Sequence, residues 1–267
     1  MRFETILYDK SDRIATITFN RPDRLNAISP QMVAELKQAY AAAEADADVW
    51  TLLVTGSGRA FCAGADVGEI PDDGRVIYPE PYLSTHPQWE APQEATPPFR
   101  QMTKPIVTAV NGICCGAGLD LLTTGDISIA SDRAEFFDPH VSIGLVSGRE
   151  SVRLARVLPM GVAMRLALMG KHERMSARRA YELGLISEIV PHDDLQRRAR
   201  EIAATINRNA PLAVRGTRLA IRRGIDLPLA EAEVLAEAFR ERVLRTDDAK
   251  EGPAAFMEKR DPDWRCS

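Results

Sequence analysis

The residues best suited to chemistry lie between Lys104 and Asp126, in KPIVTAVNGICCGAGLDLLTTGD. Ile106 to Val110 is a short apolar, β-branched run after a proline, the pattern of a buried strand. Asn111-Gly112 interrupts it, and Gly116-Ala117-Gly118 opens a helix that continues through Leu119, Leu121 and Leu122. At such a helix start several backbone N–H groups have no partner within the helix and point the same way. The helix dipole adds partial positive charge there, so the spot suits an anion, either bound or developing in a reaction. Flanking glycines let a ligand come close to the backbone. Asp120, three residues beyond Ala117, shares its helix face and would lean over whatever is bound. The same pattern also serves a buried helix packed tightly on a strand, and from these residues alone both uses stand.

Other chemistries find less support. The chain has no phosphate-binding G-x-x-x-x-G-K-[ST], no G-x-S-x-G nucleophile turn and no H-E-x-x-H zinc motif. Its glycines between Gly112 and Gly118 do not have the dinucleotide-binding spacing. His86, His140, His172 and His192 are scattered, and no metal site is expected. Cys62, Cys114, Cys115 and Cys266 have neither zinc-ligand spacing nor the density of a disulfide scaffold. Cys114 and Cys115 read as small buried side chains in a reducing compartment.

The elements that must position these groups alternate for most of the chain. Phe3–Tyr8 and Ile14–Phe19 form a predicted hairpin, followed by the polar connection NRPDRLNA. Ser29-Pro30 starts a helix, with serine as N-cap and proline at the first position, and Met32, Leu36, Ala39, Tyr40 and Ala43 give its buried stripe. Trp50–Thr55 is a predicted strand, and Phe61–Asp66 a second turn of small residues. Residues 71–98 hold seven prolines and no sustained period, and are expected to form a lid. Short strands at Ile127–Ala130, Glu135–Phe137 and Ile186–Val190 follow, with helices at Val152–Val157, Gly161–Leu168 and Ser176–Leu183 between them. From Asp193 onward the pattern is helical, giving an expected division into 1–192, an α/β core, and 193–267, a helical region.

A 267-residue chain, 45% hydrophobic and 27% charged, buries a substantial core. A net charge of −4 argues against a nucleic-acid partner. Only six of its 34 basic residues are lysine, a bias typical of GC-rich bacterial genes. No secretory signal or membrane-length apolar run is visible, so a cytoplasmic location without membrane contact is expected.

Taken in order, NRPDRLNAIS, GSGRAFCAGADVGEI, KPIVTAVNGICCGAGLDLLTTGDISIAS, GLISEIVP and AAFMEKR resemble the crotonase superfamily, the enoyl-CoA hydratase/isomerase family. The resemblance covers nearly the whole chain. It implies a ββα spiral core followed by a helical trimerisation region, assembled as a homotrimer or a dimer of trimers. The implied substrate is an acyl-CoA thioester, so coenzyme A is part of the substrate and no separate cofactor is expected. By position in the motifs, the implied oxyanion hole is the backbone N–H groups of Ala65 and Ala117. Implied CoA and substrate contacts are Arg24, Leu25, Ala27, Ala63, Asp66, Val67, Gly116, Phe256 and Lys259, the last two often reaching across a subunit boundary.

The chain departs from the family's hydratases at both catalytic glutamates. The first position is Asp120, whose reach is shorter by one C–C bond, about 1.5 Å. The second is His140, in FFDPHVSIG, an imidazole able to act as acid or base near neutral pH. The next segment, GLVSGRE, lacks the usual glycine-rich loop and offers Glu150 either as a replacement carboxylate or as a salt-bridge partner of Arg149, just as His140 suits either catalysis or a hydrogen-bonded structural role. Three readings stay open: hydratase or isomerase chemistry on a non-standard acyl group through Asp120 and His140, hydrolysis of a thioester or a β-dicarbonyl C–C bond, and CoA-ester binding without catalysis.

Overall fold

The chain begins with the expected hairpin, β1 (Ile6–Ser11) antiparallel to β2 (Ile14–Phe19), with Ile6 opposite Phe19. The computed structural model describes residues 2–69 and 102–267. The expected lid, Pro71–Pro98, lies outside the described residues. Helix α1 (Pro30–Ala45) starts as its sequence dictates: the Ser29 hydroxyl accepts from Met32 N at 3.1 Å, and Pro30 holds the first position.

Strand pairs then repeat. β3 (Thr51–Gly56) is followed by β4 (Ala60–Cys62), β5 (Ile106–Val110) by β6 (Ile113–Cys115), and β7 (Ile127–Ser131) by β8 (Glu135–Phe137). The first strand of each pair enters one sheet and the second enters another. β9 (Met175–Ser176) and β10 (Glu188–Val190) complete the sheets, whose orders are β1-β2-β3-β5-β7-β10 and β4-β6-β8-β9. Both are parallel except at β1–β2 and β8–β9. This two-sheet repeat is the ββα spiral that the resemblance implies.

The main core gathers Ile17, Phe19, Leu52, Val54, Phe61, Leu119 and Phe136 with the buried face of α1. Parallel strands covered on both faces need a second apolar layer. Here it is Ile14, Leu53, Val107 and Ile129 packed under Leu195, Ala199 and Ala203, which line one face of α6 (Leu195–Asn207). Before α6 come α2 (Ala117–Thr124), α3 (Arg149–Val157), α4 (Met160–Met169) and α5 (Ala177–Glu182). After it come α7 (Pro211–Gly224), α8 (Leu229–Val243) and α9 (Asp248–Glu258). No helix among the described residues is long and apolar enough to cross a membrane.

Candidate active site

Two stretches remote in sequence are joined by backbone hydrogen bonds, and a third packs against them. Ala63 N donates to Leu25 O at 3.0 Å, Ile28 N to Gly64 O at 2.8 Å, and Asp66 N to Ile28 O at 3.0 Å. The first loop is therefore zipped to the Phe61–Asp66 turn. Asn26, fully buried, completes the join by donating to Ser57 O and Ala60 O. The turn then meets the start of α2. Gly64 has φ 94° and Gly116 φ 52° with ψ −125°, conformations that a side chain would strain. A Cβ added at Gly116 would lie 3.4 Å from Gly64 Cα, and one at Gly64 would lie 3.7 Å from Ala117 N. The two turns abut, and Ala65 and Ala117 are the residues that follow each glycine. Gly118 shows why the tight-packing use of the motif also holds: its Cβ would fall 2.5 Å from Cys62 O.

Asp120 and His140, expected as one pair, have separate partners. Asp120 is buried on α2, with Arg153 Nε of α3 at 3.0 Å from Oδ1. His140 begins a one-turn helix, His140–Ile143, after Asp138-Pro139. Asp138 is fully buried, and its Oδ1 accepts from His140 N at 3.0 Å and lies 2.5 Å from His140 Nδ1. Because the ionised carboxylate only accepts, Nδ1 carries a proton and Nε2 faces away from Asp138. The second oxygen, Oδ2, accepts from Ser147 Oγ, which in turn meets Ser151 Oγ.

These contacts shift both groups. The Asp138 hydrogen bond, outweighing burial, lifts His140 above its usual value, and the charges of Asp138 and Glu150 add to the rise. Burial pushes Asp138 up, but the donors from His140 and Ser147 together win and hold it below the usual carboxylate range. Glu150 is buried in the first turn of α3. The imidazole meets the paired turns directly, since a Cβ at Gly116 would be 3.6 Å from His140 Cε1. Burial keeps the nearby thiols protonated, with Cys62 and Cys115 each pushed up to about 12, so neither is a thiolate nucleophile.

The remaining sequence candidates fall in two places. Arg24, Leu25, Ala27, Ala63, Asp66 and Val67 lie on the joined loops, with Arg24 and Val67 exposed. Asp66 Oδ2 is 2.9 Å from Arg21 Nη1, an ion pair that braces the two loops. Phe256 and Lys259 sit elsewhere, exposed at the end of α9. Sequence reasoning missed Asp138, Ser147 and Arg153. The Asp-Pro-His spacing carried a signal for the first, because an aspartate two residues before another residue readily accepts from its backbone. Ser147 and Arg153 carried none, since only the fold brings α3 beside α2.

The family model described as enoyl-CoA hydratase/isomerase matches residues 9–266. The Mycobacterium bovis protein named "Probable enoyl-CoA hydratase echA8" is 35% identical over 266 residues, spanning 99% of this chain and 99% of the relative. The mevalonyl-coenzyme A hydratase of Aspergillus fumigatus is 35% identical over 258 residues, with 95% of this chain and 92% of that protein covered. Among solved structures, an enoyl-CoA hydratase/isomerase from Mycobacterium paratuberculosis superposes with a TM-score of 0.92 at 70% identity, covering 100% of both chains.

Proposed function

The chain belongs to the enoyl-CoA hydratase/isomerase family, and from that premise we propose that it binds an acyl-CoA thioester and stabilises its enolate between the two abutting turns. The observation that carries the reading is the contact of Gly64 with Gly116, which sets the backbone after each glycine side by side. In this reading the N–H groups of Ala65 and Ala117 both donate to the thioester oxygen. Charge develops on that oxygen as the enolate forms, so preorganised donors help the transition state more than the ground state. One such donor is typically worth about 2.7–4 kcal/mol.

His140, at the edge of the Gly116 turn, is the proton-transfer group, and Glu150 is the second carboxylate beside it. Asp120, braced by Arg153, is the further carboxylate of the site and shares proton transfer with His140. Arg24, Leu25, Ala27, Ala63, Asp66 and Val67 contact the CoA moiety. This supports hydratase or isomerase chemistry on an acyl group other than that of the two-glutamate enzymes. Hydrolysis is the second reading, favoured by the Asp138–His140 pair, because an imidazole backed by a carboxylate can activate water.

A panel of acyl-CoA esters separates these outcomes when water addition, double-bond migration and release of free CoA are read in parallel. Addition or migration supports the first reading, and CoA release supports the second. No turnover and no thermal shift with any CoA ester would sink both.

A further inference from the structure

We propose that Asp138 is a positioning residue for His140, holding the ring with its proton on Nδ1 and presenting Nε2 to the acyl group beside Gly116. The inference rests on the reading of His140 as the proton-transfer group and adds the residue that makes it competent.

An aspartate before a one-turn helix often does no more than cap the backbone, and Asp138 does accept from His140 N. Its other contacts exceed that task. The same Oδ1 also takes Nδ1 at 2.5 Å, and Oδ2 takes Ser147 Oγ from the opposite side. Three donors thus converge on a carboxylate with no exposed surface, while the imidazole it holds stays partly open. Of these donors only His140 can carry the charge that balances a buried carboxylate. The ring cannot turn without breaking the bond to Oδ1, and in this orientation its Cε1 edge lies at the Gly116 turn.

Among the described residues, Arg149 and Glu150 are the charged groups at the start of α3. Glu150 acts on the ring from α3 and favours the same protonated form. Asp120 and Arg153 pair with each other. On the elements packed against this turn, Arg165 of α4 pairs with Glu173, and Lys171 and His172 are exposed. With the ring protonated, Nε2–H gives its proton to the enolate carbon, whose electron pair forms the new C–H bond. The imidazole is left neutral with Nδ1–H still on Asp138, which stays a carboxylate throughout.

The test is an imidazole titration by nuclear magnetic resonance on the full chain with 15N-labelled histidine, using His140→Gln to assign the signal. In the unsubstituted protein the expected midpoint lies above the usual value of about 6.5, with the neutral form protonated on Nδ1. In Asp138→Asn the midpoint falls by about one unit or more. With an ester found active in the panel, kcat falls about tenfold or more at similar KM, and the pH–rate limb moves down with the midpoint. An unmoved midpoint and an unmoved limb would overturn the inference. Should Asp138→Asn fail to fold, the unsubstituted chain carries the test: a His140 midpoint at or below about 6.5, or a neutral form protonated on Nε2, overturns the inference. His140→Gln separates the two levels. If it keeps full turnover, the proton-transfer reading fails. If it is inactive while Asp138→Asn leaves midpoint and limb unmoved, that reading stands and the positioning role falls.

Discussion

At the scale of residues, the two carboxylates of α2 and of the Asp138 loop are governed by what faces them. Asp120 is buried against Arg153, which is itself only partly exposed. A buried carboxylate that loses its cation keeps its desolvation cost, about 1–3 kcal/mol for an unsatisfied group and more when charged. Arg153→Met keeps the length and the apolar stem, so it isolates that term. The expected outcome is a loss of about 1–3 kcal/mol in thermal unfolding, with Asp120→Asn costing less because an amide is cheaper to bury. Equal melting of Arg153→Met and the unsubstituted chain would show that the pair adds no stability. In FFDPHVSIG the chain carried an unread signal for the Asp138 contact, since Asp138 stands two residues before His140. For Arg153 there was none, because nothing local links RESVRLARV to GAGLD, and only the packing of α3 on α2 makes them partners.

At the scale of elements, α2 is held at both ends. Its start abuts the Gly64 turn, and its end is gripped by α7. Asp126 Oδ2 accepts from Ile106 N at 2.8 Å and from Arg218 Nε at 2.6 Å, while Oδ1 accepts from Arg222 Nε at 2.8 Å. Arg222 also donates to Thr123 O, Thr124 O and Gly125 O, cations and donors placed where a helix C-terminus has orphan carbonyls. Asp126→Ala strips the charge that two arginines share, and Arg218 is too buried to find water instead. Breaking such a pair costs about 3 kcal/mol, and each kcal/mol lowers Tm by about 2–4 °C in a chain of this size. Calorimetry showing no fall in Tm would refute the clamp. Most strands here were readable from β-branched runs between glycines and prolines. Ile113–Cys115 was not, since three residues are too few to show a period. The helical pattern from Asp193 onward predicted α6, but not that its Leu195, Ala199 and Ala203 would cover the six-stranded sheet.

At the scale of the whole molecule, the outer helices carry apolar side chains that the single chain leaves uncovered. α8 has no buried residue, and Leu229, Val234 and Phe256 are 75%, 72% and 82% exposed. Singly, such residues are ordinary. With Ile221 on α7, Ile225 just past its end and Met257 on α9 also exposed, the C-terminal helices carry the apolar side chains from which interfaces are built. We propose that these helices close a homotrimer or a dimer of trimers, the assembly the family resemblance implies. The resemblance also implies CoA contacts from Phe256 and Lys259, at the end of α9, across a subunit boundary, so CoA binding is expected to depend on the assembly. The expected mass by light scattering at micromolar concentration is three or six times that of the chain, and a monomer would contradict the assembly. Val234→Arg places a charge on the exposed face of α8 without touching the core or the paired turns. It is expected to shift the assembly toward monomer and to weaken CoA binding in calorimetric titration while far-ultraviolet circular dichroism stays unchanged. A monomeric Val234→Arg variant that binds CoA as tightly as the parent would mean that each chain holds its CoA alone. Phe256 and Lys259 would then leave the proposed site, and the loops from Arg24 to Ala27 and from Ala63 to Val67 would have to supply the whole of it.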